Sequence, residues 1–170
     1  MTEVPQSIYN FYDKILSDVT NSGQNLTLLS ETVHEDWQSR PNALNVVEGT
    51  GPGINGLAGF AGLFATIMPD LKFERKQTLI NFDKVVVLSL VSGTVTNPLP
   101  GQSELPLFPG IPVESLLGKR FETLALDIQT IVDGKIKQSY HVEDWATALN
   151  QMLNDTPPPD FGLDRNYTDF

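Results

Sequence analysis

"RFETLALDIQTIVDGKIKQSYHVEDW", residues 120–145, carries the pattern that decides the architecture. Residues 120–132 alternate apolar and polar side chains, the two-residue period of a strand. Asp133-Gly134 then supplies a pair suited to a tight hairpin turn, and residues 135–144 resume the strand pattern beyond it. Two strands joined this way run antiparallel. Further out, "KVVVLSLVSGTVT" (84–96) is a dense β-branched run and "LKFERKQTLINF" (71–82) alternates weakly, which extends the antiparallel series to four. The intervening "NPLPGQSELPLFPGIPVESLLG" (97–118) is too rich in Pro and Gly to continue a central strand, and is expected to hang over one end of the sheet.

The N-terminal half has a different period. Ile8, Phe11, Tyr12, Ile15, Leu16 and Val19 recur at helical spacing. Asn25 can cap a second short helix with Leu26, Leu29 and Val33 as its stripe, before "HEDWQSRP" breaks the pattern at Pro41. Leu57, Phe60, Ala61, Phe64, Ile67 and Met68 form one face of a third helix that Pro69 stops. A last helix carries Trp145, Ala148, Leu149, Met152 and Leu153. Three helices, a run of antiparallel strands and a final helix make an α+β plan, read as one domain over 1–155 with a C-terminal tail over 156–170.

That order also settles how to read "EGTGPGINGLAGF" (48–60), in which Gly51, Gly53 and Gly56 fit the G-x-G-x-x-G spacing of a dinucleotide loop. Such a loop needs a strand before it and a parallel strand after its helix. Here "NALNVV" (42–47) is at best a short strand, and a hairpin-connected sheet follows. The spacing is coincidental, and no nicotinamide or other cofactor is expected.

Composition narrows the function further. Eleven basic against twenty-one acidic residues leave a net charge of −10, which repels nucleic acid and anionic lipid surfaces alike. No cysteine is present, so disulfides, thiolate metal sites and cysteine nucleophiles are excluded together. The start "MTEVPQSIYNFYDK" lacks the basic and apolar regions of a signal peptide, and "VVVLSLV" is far too short to span a bilayer. A soluble cytoplasmic protein is expected.

Across residues 8–153, the stretches "FYDKIL", "LLSETVHEDWQSRP", "MPDLKF", "DKVVVLSLVSGT", "GIPVESLLGKRFE", "LDIQTIVDGKI" and "HVEDW" occur in an order and spacing that resemble the SnoaL-like polyketide cyclases. These sit within the cone-shaped superfamily named after nuclear transport factor two. The resemblance implies a cone-shaped barrel of curved antiparallel sheet wrapped around the N-terminal helices. It also implies a deep pocket at the open end, a homodimer, and acid/base chemistry without metal or cofactor on a bulky apolar carbonyl compound. The expected reaction is an aldol-type cyclisation or isomerisation. A non-catalytic small-molecule binding domain and a hydrolase or epoxide hydrolase are alternatives on the same fold.

Within this frame the candidate residues follow. In the last strand Ile136, Gln138, Tyr140, Val142 and Asp144 share one face, while Lys137, Ser139, His141 and Glu143 share the other. The first set, with its apolar members, is expected to wall the pocket, and the resemblance implies an acid/base aspartate at the end of this strand, most naturally Asp144. Asp144 also stands where an aspartate caps a following helix. Asp127 interrupts an apolar strand, where a charge needs a partner or a wet cavity, or else marks a polar outer face. His141 takes the acid/base role if the faces are reversed. His34, Trp37 and Arg40 come from a segment that the resemblance places at the pocket, although the cluster also reads as a solvated helix end. Phe60, Phe64, Phe73, Phe82 and Phe108 are expected as apolar lining, with "GTGPGING" (49–56) and the proline-rich loop closing the pocket. Two distant histidines without ligand-spaced acids predict no metal site. Because "KVVVLSLV" is apolar on both faces, one face is expected to meet a second copy of the sheet.

Overall fold

The computed structural model of the chain describes residues 3–40 and 52–163. The proposed strand over 42–47, Gly51 and the last residues of the tail lie outside them. Helix α1 (Gln6–Tyr9) continues directly into a π-helical segment, Asn10–Ile15. Helix α2 (Leu26–Thr32) starts where Asn25 accepts a hydrogen bond from the Leu28 backbone N–H at 3.1 Å, as its sequence position predicts. Strand β1 (Val33–Arg40) and helix α3 (Gly53–Ile67) follow, then β2 (Lys72–Asn81), β3 (Lys84–Thr94), β4 (Arg120–Val132), β5 (Lys135–Glu143) and α4 (Trp145–Asn154).

The fold is α+β, with helices gathered on a curved five-stranded sheet in the order β1-β5-β4-β3-β2. Strands β2 to β5 pair antiparallel in chain order, with tight hairpins between β2 and β3 and between β4 and β5 and the proline-rich loop between β3 and β4. The β4–β5 turn places Asp133 at φ 49° and Gly134 at φ 76°, the positive-φ pair that matches strand twist in a two-residue loop.

The sheet departs from the expected antiparallel barrel in two ways: it is not closed, and it is mixed. Residues 33–40, read from sequence as the broken end of a helix, form an edge strand parallel to β5. Their register shifts between Val33 and Gln38, and the irregularity erases the strict alternation that marks a strand. Among its residues Val33 and Trp37 are buried, and tertiary contact rather than local pattern holds them inward.

Helix α3 begins at Gly53, four residues before its apolar stripe. Gly53 has φ +73°, and a Cβ there would sit 2.3 Å from the Glu35 carbonyl oxygen. Close packing of the helix start on β1 therefore accounts for this glycine. Strand β2, which follows α3, lies at the opposite edge of the sheet from β1, so β1, α3 and β2 do not form a dinucleotide-binding βαβ unit.

The core lies between the helices and the concave face, where Val85, Val87, Val91, Phe121, Ala125 and Ile136 meet Ile8, Tyr12, Ile15, Leu57, Phe64 and Ile67. The proline-rich loop joins this core through Leu105, Phe108, Val113 and Leu116, all buried. Phe108 and Phe121 both make edge contacts with Trp145 of α4. On the convex face Leu126, Ile128, Tyr140 and Val142 are exposed, the last by 67%. No helix among the described residues is long and apolar enough to cross a membrane.

Candidate functional site

A cavity of about 370 Å³, counting its open mouth, lies between the concave face and the helices. Phe11, Leu16, Leu57, Phe60, Phe73 and Trp37 make its apolar wall. Its polar side is built by the strands. Inward positions of β4 and β5 bring Asp127, Gln129, Ser139, His141 and Glu143 together, and Ser39 joins them from β1. The antiparallel register pairs Asp127 with His141, Gln129 with Ser139 and Ala125 with Glu143.

Two hydrogen-bonded chains run through this polar side. In the first, Gln129 Nε2 donates to the Tyr12 hydroxyl at 2.7 Å, and Tyr12 donates to Asp127 Oδ2 at 2.6 Å. In the second, His141 Nε2 lies 2.7 Å from Ser39 Oγ and His141 Nδ1 lies 2.7 Å from Glu143 Oε1. Trp37 Nε1 donates to Ser139 Oγ at 2.9 Å, which fixes the indole against the strand pair. The π-helical segment places the consecutive residues Phe11 and Tyr12 toward the sheet, one on the cavity wall and one under Asp127.

Burial dominates the electrostatics. Asp127 is only 4% exposed, and desolvation pushes its carboxyl up to about 7, with the nearby Glu143 charge adding to the rise. The Tyr12 hydrogen bond and the His141 charge oppose it. For His141, burial works against the imidazolium, yet the hydrogen bond and charge of Glu143 together with the Asp127 charge outweigh it and raise the pKa above its ordinary value. Burial, then the Asp127 charge, drives the Tyr12 phenol upward, so it stays a neutral donor. The arrangement can hold and transfer a proton near neutral pH beside an apolar surface.

These positions correct several expectations. The wall of the pocket is the Ser139, His141, Glu143 face of β5, while Tyr140 is 54% exposed on the convex side with Val142. The apolar side chains pointed to the wrong face because the convex face of this sheet is itself apolar. Asp144 is outside the cavity and caps α4, accepting from the Thr147 backbone N–H at 3.0 Å and from its hydroxyl at 2.7 Å. Those bonds hold its carboxyl below the ordinary range. Of the β1 candidates, Trp37 lines the cavity, but His34 pairs with Asp36 at the surface and Arg40 donates to Gln38. Phe60 and Phe73 line the cavity, whereas Phe64 is core beneath Phe60. Phe82 sits in the β2–β3 turn at φ 53° and is 84% exposed, and Phe108 packs on Trp145. No residue of the proline-rich loop lines the cavity, and α3 contributes Leu57 and Phe60 rather than its first-turn glycines.

Glu143, Ser39, Gln129, Ser139 and Tyr12 were not singled out in sequence. The spacing of His141 and Glu143 at i and i+2 was the available signal, since it places both on one strand face. Ligand atoms of Asp127, His141 and Glu143 lie within 4.8 Å of one another, so these three could together hold a metal ion. Sequence spacing gave no sign of that convergence, because Asp127 comes from another strand. Both ring nitrogens of His141 are engaged, one by Ser39 and one by Glu143.

The architecture matches solved structures of low identity. TsrD from Streptomyces laurentii aligns with a TM-score of 0.62 at 22% identity, covering 89% of this chain and 94% of its own. A SnoaL-like polyketide cyclase from Agrobacterium tumefaciens gives 0.62 at 17%, covering 89% and 99%. Wild-type IdmH from Streptomyces antibioticus gives 0.60 at 22%, covering 86% and 96%. No curated protein matches the chain at the sequence level. Residues 6–152 match the family model described as SnoaL-like polyketide cyclase, and the chain belongs to that family.

Proposed function

We propose that the protein is a cofactor-independent acid/base enzyme that removes a proton α to the carbonyl of a bulky apolar compound, so that the enolate closes a ring or isomerises. The observation that carries this reading is Asp127, a buried carboxyl with a pKa of about 7 on an apolar cavity, paired across strands with His141. A base near its operating pH is the efficient one, and the phenol of Tyr12 holds Asp127 in one orientation. His141, oriented by Glu143, is placed to act as the complementary acid toward the developing oxyanion. The protein acts in this reading as a cytoplasmic homodimer joined through the apolar convex face.

The test is deuterium exchange at the α carbon of 2-tetralone, followed by NMR. Wild type accelerates exchange over buffer, and Asp127→Asn slows it by on the order of a hundredfold while the ketone still binds. Binding without exchange in wild type overturns the catalytic reading in favour of a small-molecule binding domain.

One observation favours a second reading, hydrolysis. Ser39 Oγ, His141 and Glu143 stand in the order of hydroxyl, base and orienting carboxylate, each contact 2.7 Å. Hydrolysis of p-nitrophenyl butyrate that is lost in Ser39→Ala supports it, and the absence of such hydrolysis removes it.

A further inference from the structure

We infer that the cavity is also a binding site for a protonated amine on an apolar frame, its ammonium group held between the carboxylates of Asp127 and Glu143. The inference goes beyond the catalytic reading and concerns binding, not turnover.

The geometry comes from two strands. Carboxylate oxygens of Asp127 on β4 and Glu143 on β5 lie within 4.8 Å of one another. One ammonium nitrogen can bond both, since two N–H···O bonds of about 2.8 Å together span more than that separation. Both groups have an oxygen to offer. Among the described residues the Asp127 side chain accepts on Oδ2 alone, from Tyr12, and the Glu143 side chain on Oε1 alone, from His141. Each carboxylate therefore keeps an oxygen without a partner, and Asp127 does so on the cavity wall while only 4% exposed.

Charge favours a cation at this place. Among the described residues lining the cavity none is Lys or Arg, and only His141 can carry positive charge. The Asp127 carboxyl is lifted to about 7 by burial, with the Glu143 charge adding to the rise, as befits a carboxylate that faces a like charge without a full counter-charge. A bound ammonium supplies that counter-charge, and the wall of Phe11, Trp37, Phe60 and Phe73 receives the apolar frame that carries it. A metal ion held by Asp127, His141 and Glu143 together would take a His141 nitrogen from Ser39 or from Glu143. An ammonium group needs carboxylate oxygens only and leaves both contacts in place. An amine seated here covers Asp127, so it competes with the carbonyl compound for the cavity.

The experiment titrates 2-aminotetralin and 2-tetralol into wild type, Asp127→Asn and Glu143→Gln at pH 8, by calorimetry and by NMR of the Trp37 and Trp145 indole N–H groups. The two compounds share a frame, and at this pH the amine is a cation while the alcohol is neutral. Wild type is expected to bind the amine at least about tenfold more tightly and to shift Trp37, which lines the cavity, whereas each variant binds the two compounds within about threefold of each other. Equal affinities in wild type overturn the proposal, as does a shift of Trp145 without one of Trp37. A preference that persists in either variant also overturns it, because the bridge needs both carboxylates. If neither variant folds, the wild-type preference and the Trp37 shift decide. An absence of amine binding refutes this inference whether or not 2-tetralone exchanges, and amine binding without exchange refutes only the catalytic reading.

Discussion

Asp127 and His141 are direct cross-strand partners in the β4–β5 ladder, and both line the cavity. Glu143, and after it Asp127, raise His141 against its burial, while the His141 charge opposes the burial that lifts Asp127 to about 7.

Stability is expected to fall as pH rises from the acid range to neutrality. Asp127 moves from an ordinary 3.8 to about 7 on folding, so between these values the native state holds a proton that the unfolded chain has lost. That stabilisation is complete below 3.8 and gone above 7. His141, raised above 6.5, acts in the same direction. The lowered carboxyls Asp36, Glu74 and Asp144 have the opposite sign and set the acid limit. Melting temperature should therefore decline from about pH 5 to pH 7. A flat or rising profile contradicts the burial of Asp127.

Asp127→Asn should flatten that decline. Asparagine keeps an acceptor for Tyr12 but carries no charge to desolvate, so the variant should be more stable than wild type at pH 8, by at most about 4 kcal/mol. Chemical denaturation at pH 5 and pH 8 measures the difference. Equal differences at both pH values would show that Asp127 is not buried as an acid.

Tyr12→Phe removes the hydrogen bond that lowers Asp127, and the carboxyl should rise further. The pH midpoint of α-proton exchange should move upward with it. Because the variant also strips Gln129 Nε2 of its acceptor, a loss of about 1–3 kcal/mol in stability is expected. An unchanged midpoint would separate Tyr12 from the titration.

Asp144→Asn tests the cap. Asparagine caps as well as aspartate, so stability should stay within about 1 kcal/mol and exchange activity should match wild type, while Asp144→Ala loses about 1 kcal/mol. A large loss of activity with full stability in Asp144→Asn would return this residue to the chemistry.

The convex face predicts association. Leu126, Ile128, Tyr140 and Val142 form an apolar surface of the kind a partner sheet covers. Sedimentation should report a dimer at micromolar concentration for wild type and a monomer for Val142→Lys. A monomeric wild type refutes the dimer.

Much of the fold was legible because its signals are local. The Asp133-Gly134 turn, the β4 alternation and the Asn25 cap each depend on a few neighbouring residues, and each appears where its pattern places it. The site was only partly legible. Phe60, Trp37, Asp127 and His141 were among the candidates and do line the cavity, but Asp144, Tyr140 and Phe64 were placed there on patterns that capping, the convex face and the core explain.

By itself the sequence determined the α+β order, the hairpins and the pairing of His141 with Glu143 on one strand face, because strand period and turn chemistry act over a few residues. Only the tertiary structure decided which face of the sheet is concave, that residues 33–40 add a parallel edge, and that Tyr12 reaches Asp127 across 115 positions of chain. Those outcomes depend on how the helices cover a sheet that is apolar on both sides. When both faces can be buried, side-chain alternation does not say which face the helices take.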